Sequence, residues 1–269
     1  MIAAIVPAAG RSGRMGRPKL LLQHEGRSIL ARVIESLRQG GADLVVAVVP
    51  PETEPEGPTL ANEALKAGGA VIAPPIRPAE MRNSIGIGLD ALAATYKEPH
   101  TGVLIVPADH PGFTPEHVRR LIDQHQKSPG SVIIPCFQGR RGHPILLPWE
   151  TALRIRDLPE SVGVNALVAG ETEAGRVIEL DLPDDSVLAD MDTPEDWAKW
   201  KDRTGSEEAA PSSLRRITVR LFAIARQRAG SPEIVVEIAD GATVADLKAA
   251  IARAAPALSP LLPNVLIAV

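Results

Sequence analysis

Apolar residues in the first two hundred positions follow two alternating patterns. The first is a short, nearly continuous apolar run, which is typical of a strand buried on both faces of a sheet. Runs of this kind predict strands at 2–8, 43–50, 70–75, 101–107, 131–137 and 174–182. The run HPILLP at 143–148 predicts a return strand.

The second pattern places apolar residues at helical spacing. It predicts helices at 28–41, 61–69, 84–96, 115–126 and 194–201. Thr114 and Thr193 are suited to cap the last two of these helices, because each is followed by a proline at the first helical position. Strands that alternate with helices predict an α/β domain with a mainly parallel sheet, which binds ligands at the carboxyl ends of its strands.

The pattern changes after residue 201. The polar stretch DRTGSEEAAPSS has no periodicity and predicts a linker, which we place at 202–214. RITVRLFAIA, at 216–225, alternates like a half-exposed strand. The segment from 233 predicts a strand, a turn and a helix capped by Thr243, and NVLIAV at 264–269 predicts a last strand. We therefore expect two domains, 1–201 and 215–269.

Composition and net charge limit the partners and the kinds of site that we expect. The chain has 269 residues and a net charge of −4, so its overall charge favours neither nucleic acid nor an anionic membrane as a partner. Cys136 is the only cysteine, which excludes an internal disulfide and an all-thiolate zinc site. The amino terminus has no basic segment before its short apolar run, and we expect a cytoplasmic protein.

A glycine-rich, cationic loop follows the first strand. PAAGRSGRMGRPKLLL, at 7–22, contains three glycines and four cations but no acid. A loop between a strand and a helix offers backbone N–H groups to an anion, and glycine lets a ligand approach the main chain. The loop matches neither the dinucleotide fingerprint nor the Walker loop. It predicts a polyphosphate site, and a solvated turn with scattered cations is the alternative.

The loop resembles the signature of nucleotidyltransferases with a Rossmann-like, three-layer fold. Four further segments, MRNSIGIGL, PADHP, GRRGHPILL and DMDTPEDW, follow in the order found in molybdenum cofactor cytidylyltransferases and their guanylyltransferase relatives. The resemblance implies Mg²⁺-dependent transfer of CMP from CTP to molybdopterin, with release of pyrophosphate. It places Ala8, Ala9, Gly10, Arg14 and Lys19 around the triphosphate, with Arg14 and Lys19 also catalytic. Ala9, where guanylate-transferring members tend to have glycine, favours CTP.

The same resemblance assigns the other site residues. It makes Asp109 catalytic and a ligand of Mg²⁺ or Mn²⁺, with Asp192 as second ligand and Asp190 in reserve. Capping of the following helix is an equal alternative for Asp192, and an Asx turn is the alternative for Asp109. Ser84 approaches the nucleotide or caps a helix. Gly142 and His143 lie on the molybdopterin side, and a simple turn is the alternative for His143.

The C-terminal segment resembles the small, ubiquitin-like subunit of molybdopterin synthase. This implies an incomplete α+β module of the β-grasp type. The sequence ends at Val269 without that family's terminal Gly-Gly, so we expect no sulfur transfer from it. A shortened gene and a vestigial docking module are the alternatives, with a molybdoenzyme apoprotein or the large subunit of molybdopterin synthase as partner.

Three other functions stay open. One is GTP-dependent guanylyl transfer to molybdopterin. Another is cytidylyl transfer to a sugar or polyol phosphate such as methylerythritol phosphate, although PADHP departs from that family's pattern. The third is a non-catalytic protein that delivers molybdenum cofactor.

Overall fold

The computed structural model describes residues 1–11, 18–95, 100–159, 162–206, 215–221, 223–238 and 244–258. Contacts divide the chain into two compact units, Met1–Asp202 and Arg203–Val269. In the described part of the chain, no helix combines the length and apolar character needed to cross a bilayer.

The first unit is built on one large sheet. Its strands and a small hairpin are β1 (Ile2–Pro7), β2 (Gln23–His24), β3 (Arg27–Ser28), β4 (Leu44–Val48), β5 (Ala70–Ile72), β6 (Gly102–Ile105), β7 (Val132–Phe137), β8 (Arg140–Arg141), β9 (Ile145–Pro148) and β10 (Val177–Asp181). The order across the sheet is β10-β7-β9-β6-β1-β4-β5, with β8 beside β7, and β2 pairs with β3 separately. β9 runs antiparallel to β6 and β7, which confirms the predicted return strand.

Helices cover both faces of this sheet. They are α1 (Ile29–Gln39), α2 (Gly57–Lys66), α3 (Met81–Thr95), α4 (Pro115–Lys127), α5 (Trp149–Leu153), α6 (Val164–Glu173) and α7 (Pro194–Ser206). Buried residues of α1, α2, α4 and α7 share one apolar core. Those of α3, α5 and α6 share the other, so the predicted three-layer α/β architecture is confirmed.

Strand β1 shows why the apolar runs are nearly continuous. Ala4 and Val6 pack into one core, whereas Ala3 and Ile5 pack into the other, so every position of the strand is buried. α3 approaches this strand closely at Gly88, where an added Cβ would lie 2.9 Å from Ile5 Cγ2. A side chain there would force the helix and strand apart.

The predicted helix starts are partly right. Thr114 accepts a hydrogen bond from His117 N–H and caps α4, as expected. Thr193 Oγ1 accepts from Asp196 N–H at 3.2 Å at the start of α7. Ser84 is not an N-cap, since α3 begins at Met81 and Ser84 lies buried inside the helix. α7 also continues to Ser206, past residue 202 where the linker was placed, because no helix breaker precedes Gly205.

The second unit has a smaller core. β11 (Arg215–Arg220) pairs antiparallel with β12 (Glu233–Ile238), and α8 (Ala223–Ala229) and α9 (Val244–Ala254) accompany them. The alternation read as a strand to residue 225 is wrong there, because AIARQRA is rich in strong helix formers and forms α8. Thr243 and the predicted strand 264–269 lie outside the described residues, and the β-grasp assignment stays a prediction.

Candidate active site

The carboxyl ends of β1 and β6 carry the main site residues. Ala8, Ala9 and Gly10 follow β1, and Ala8 N–H donates to Val48 O at 2.8 Å, which ties the loop to β4. Ala8 and Ala9 are buried, whereas Gly10 is exposed, and beyond its chain neighbours no atom of the described residues lies within 4 Å of a Cβ added there. Arg14 lies outside the described residues, so its predicted role stays a prediction.

Lys19 connects this loop to two carboxylates. Its Nζ lies 2.5 Å from Asp109 Oδ2 and 2.9 Å from Asp192 Oδ1. The two aspartates are 83 positions apart in the sequence, yet they share one ammonium group. Lys19 is 15% exposed and Asp109 is 20% exposed, so water screens the pair only partly. The structure therefore brings together three residues predicted to act together.

Opposing effects set the charges of this cluster. Burial alone would raise the pKa of Asp109, but hydrogen bonds from His110 and Lys19 outweigh it and hold the pKa well below its ordinary value. Burial would lower the pKa of Lys19, but Asp109 and Asp192 raise it above its ordinary value. Asp109 and Lys19 are therefore both charged at neutral pH.

Close backbone contacts bring the two aspartate loops together. Met191 N–H donates to Asp109 O at 3.0 Å, so the residue beside Asp192 is fixed on the Asp109 loop. An added Cβ at Gly112 would lie 2.3 Å from Ser186 O, which explains glycine at this crossing. Asp190 is exposed, whereas Asp192 contacts Lys19. Of the two candidates, Asp192 is the one that joins the cluster.

A pair of histidines adjoins Asp109 on the side predicted to face the acceptor. His110 Nδ1 lies 3.0 Å from Asp109 Oδ1, and the rings of His110 and His143 meet edge to face at 4.8 Å. Burial, followed by the charge of His110, lowers the pKa of His143 to about 4, so His143 is neutral at pH 7. Gly142 lies against the backbone of Val187, because an added Cβ would be 2.4 Å from Val187 O. This contact holds the turn at 142–144 beside the segment that leads to Asp192.

A cleft of about 550 Å³ extends from the lysine cluster toward α3. Its walls are formed by residues of the glycine loop, of the loop after β6 and of the start of α3. They include Ala9, Gly10, Arg11, Lys19, Arg77, Glu80, Met81, Ser84 and Asp109. Ser84 thus lines the cleft from inside α3. The opening is large enough for a nucleotide-sized ligand.

Arg77 is the residue of this cleft that sequence reasoning missed. It follows β5 in a proline-rich loop, and its guanidinium contacts Glu54, Glu56 and the carbonyls of Ala9 and Gly10. The stretch at 50–58, which is rich in proline and acid, predicts only a surface loop from the sequence. No local pattern marks Arg77, because its acceptors lie on other loops.

The two predicted metal ligands, Asp109 and Asp192, come together as a pair of carboxylates. Across the described ranges, no group of three or more His, Cys, Asp or Glu side chains is arranged to hold a metal ion. Two carboxylates that already share one cation still fit Mg²⁺, which commonly takes one or two carboxylates and completes its shell with phosphate oxygens and water.

The chain is similar to curated proteins that carry different functional names. The chain is 32% identical to a molybdenum cofactor guanylyltransferase of Rhizobium meliloti (strain 1021) over 151 residues, which is 56% of this chain and 64% of that protein. The match therefore spans less than two thirds of that relative's length. A nicotine blue oxidoreductase of Paenarthrobacter nicotinovorans is 27% identical over 213 residues, covering 72% of this chain and 93% of that protein.

The fold also matches a solved structure. A nucleotidyl transferase from Methanothermobacter thermautotroptrophicus superposes with a TM-score of 0.64 at 19% identity, covering 77% of this chain and 98% of that chain. The family model of the MobA-like NTP transferase domain matches residues 4–177, which include β1, the glycine loop, Asp109 and His143. The chain therefore belongs to the MobA-like NTP transferase family and carries a nucleotidyltransferase domain.

Proposed function

We propose that this protein transfers CMP from CTP to the terminal phosphate of molybdopterin and releases pyrophosphate. The observation that carries the proposal is the ammonium group of Lys19 held between Asp109 and Asp192 at the edge of the cleft. Cations at a glycine loop suit a triphosphate, and paired carboxylates suit the divalent ion that accompanies it. Both lie at the carboxyl ends of parallel strands.

The reaction forms one bond and breaks one. An oxygen of the acceptor phosphate attacks the α-phosphorus of CTP, and the bond from that phosphorus to the bridging oxygen of pyrophosphate breaks. Because the acceptor phosphate is already ionised, the reaction needs no strong general base. The protein's task is to align the two reactants and to stabilise negative charge on the departing pyrophosphate.

Each described site residue has a task in this scheme. Asp109 and Asp192 would hold Mg²⁺, which supplies positive charge to the α-phosphate and to pyrophosphate when bound. Lys19 lies where its ammonium can contact the triphosphate once the carboxylates are shared with that ion. Gly10 and Arg11 offer backbone N–H groups to phosphate oxygens. Ser84 lines the cleft where it extends away from these charges.

The acceptor is proposed from two observations. His143 is neutral and adjoins Asp109 through His110, so it can exchange hydrogen bonds with a polar acceptor without repelling the metal. The relative from Rhizobium meliloti is named for the molybdenum cofactor. Molybdopterin is therefore the acceptor to test first.

The choice of nucleotide has two candidates. Ala9 is buried at the start of the loop, and the Ala-Ala-Gly sequence resembles cytidylate-transferring enzymes, which supports CTP. The name of the same relative favours GTP, and guanylyl transfer is the second candidate.

Pyrophosphate release tests the proposal. Purified protein is incubated with Mg²⁺, molybdopterin and each of CTP, GTP, ATP and UTP in turn. We expect release with CTP and little with the others. Release with GTP alone would replace CTP by the second candidate. No release with any nucleotide, from protein that binds molybdopterin, would favour the non-catalytic delivery role instead.

The remaining assignments are also proposals. We place the enzyme in the cytoplasm, where nucleoside triphosphates are available. The second unit, if it has the β-grasp fold, would dock a molybdoenzyme apoprotein or the large subunit of molybdopterin synthase. A pull-down with residues 203–269 deleted tests this, because such a partner should be lost while pyrophosphate release persists.

A further inference from the structure

Arg77 makes an unusual set of contacts for a loop arginine. Its side chain is 10% exposed, and its Nε donates to both carboxylate oxygens of Glu54 at 3.0 and 2.9 Å. Nη2 donates to Glu54 at 2.6 Å and to Glu56 at 2.5 Å. Nη1 instead donates to Ala9 O at 2.7 Å, with a longer contact to Gly10 O at 3.4 Å.

The two glutamates explain why Arg77 stays in this position. They lie between β4 and α2, on a different loop from both Arg77 and Ala9. The hydrogen bonds that Arg77 donates to Glu54, the largest effect, raise its pKa, burial lowers it, and the hydrogen bond donated to Glu56 also raises it, so that the pKa lies above its ordinary value. The guanidinium therefore stays charged and joins three loops at the carboxyl edge of the sheet.

Carboxylates already balance the charge of Arg77. Glu54 and Glu56 both accept hydrogen bonds from its guanidinium, and the charge of Arg11 also acts on Glu54. Arg77 lines the cleft, yet its charge is already compensated, which distinguishes it from the cations expected to bind phosphate directly.

The carbonyl contacts give Arg77 a different role. In a trans peptide, the carbonyl of one residue and the N–H of the next point in opposite directions. When Ala9 O and Gly10 O point toward Arg77, the N–H groups of Gly10 and Arg11 point away from it. We propose that Arg77 is a positioning residue that orients these two N–H groups for the nucleotide's phosphates, and the inference rests on the proposed nucleotide binding.

The test compares three arginine variants in binding assays. Arg77→Met removes all the donors, and Arg77→Lys keeps the charge but loses the planar fork that reaches separate acceptors. Arg176→Met is the matched control, because Arg176 donates two hydrogen bonds to Glu171 near the opposite edge of the sheet. Calorimetry measures the dissociation constants of Mg²⁺–CTP and of Mg²⁺–tripolyphosphate, which has no base.

We expect Arg77→Met to weaken binding of both ligands by about 10–100-fold, since each lost hydrogen bond to a charged group corresponds to roughly tenfold. Arg77→Lys should be almost as weak, and Arg176→Met should bind like wild type. Where turnover is measurable, KM should rise more than kcat falls. Thermal melting should show an equal loss of stability in Arg77→Met and Arg176→Met. Weaker binding in Arg77→Met alone then reflects lost positioning and not a general loss of stability.

Specific results would overturn the inference. Wild-type affinity for tripolyphosphate in Arg77→Met would show that the loop is oriented without Arg77. If that variant does not fold, Glu54→Gln serves instead, because it weakens the anchor and keeps the shape, and it should weaken tripolyphosphate binding about threefold or more. Unchanged binding there would also overturn the inference. Wild-type protein that binds no nucleotide would remove the proposed function as well.

Discussion

Opposite ends of the strands in the same sheet carry partly buried ion clusters of opposite composition. At the carboxyl edge, Lys19 is shared by Asp109 and Asp192. Near the amino edge, where β10 begins, Glu171 is shared by Arg154 at 2.6 Å and Arg176 at 2.7 Å. The first cluster has two carboxylates around one ammonium group and borders the cleft. The second has one carboxylate, 2% exposed, with both oxygens bonded.

The two clusters suit different tasks: the first suits ligand binding, and the second suits stabilisation of the fold. Two carboxylates that border a cleft can act as ligands of a divalent cation, whereas a carboxylate that two guanidinium groups already satisfy cannot accept one without losing them. Arg154 follows α5, and Glu171 belongs to α6, so the amino-edge cluster connects two helices with β10. We expect changes at the carboxyl edge to alter function, and changes at the amino edge to alter stability.

The largest effect is expected for Asp109→Asn. This change keeps the shape of the side chain but removes its charge, so pyrophosphate release should fall by about 10²–10³-fold, as for other losses of electrostatic stabilisation in active sites. Asp123→Asn, at an exposed position of α4, is the control and should retain wild-type activity. A variant at Asp109 with more than a tenth of wild-type turnover would contradict the assignment.

Lys19→Met should separate catalysis from metal binding. Turnover should fall by about 10²-fold because a cation for the triphosphate is lost. Affinity for Mn²⁺ without nucleotide should rise by about tenfold or more, since a unit charge about 4 Å away contributes a few kcal/mol at an effective dielectric constant near 20. Mn²⁺ titration by electron paramagnetic resonance measures this. Weaker Mn²⁺ binding would show that Lys19 does not compete with the metal.

Glu171→Gln should lower stability and leave turnover unchanged, in contrast to the active-site variants. The loss of the charge leaves Arg154 and Arg176 without their partner, and the free energy of unfolding should fall by about 2 kcal/mol, because both arginines are half exposed. Urea denaturation measures this loss. The kcat of the folded protein should be unchanged. A large drop in kcat would mean that the amino edge communicates with the site.

The smallest effect concerns acid stability. Hydrogen bonds from Arg176, the largest effect, and from Arg154 lower the pKa of Glu171 in the folded state. Its contribution is therefore fully present above the unfolded pKa of about 4.3 and is lost as pH falls toward the folded value. The difference in melting temperature between wild type and Glu171→Gln should be constant from pH 7 to about 5 and shrink below about 4. A constant difference down to pH 3 would contradict this.

Part of this picture was predictable from the sequence. Buried strands are continuous apolar runs, so the ends of β1 and β6, and with them Gly10 and Asp109, could be placed on one edge of the sheet. Because the order of the motifs resembles that of a nucleotidyltransferase family, Lys19 and Asp192 could also be predicted to act at one site.

The rest depends on tertiary contacts that no local pattern encodes. The contacts of Arg77 are not visible in the local sequence, because its four acceptor residues lie on two other loops. Ser84 looked like a cap because serine favours helix starts, yet the helix begins three residues earlier. The short hairpin of β2 and β3 has too few residues for a period to be visible.

The central claim is that Asp109 and Asp192 jointly hold the divalent ion of a bound nucleoside triphosphate. The direct measurement is Mn²⁺ affinity in the presence of a non-hydrolysable CTP analogue, for wild type, Asp109→Asn, Asp192→Asn and the control Asp123→Asn. The account predicts that each active-site variant weakens Mn²⁺ binding by at least about tenfold while the control does not. Wild-type Mn²⁺ affinity in either active-site variant would contradict it.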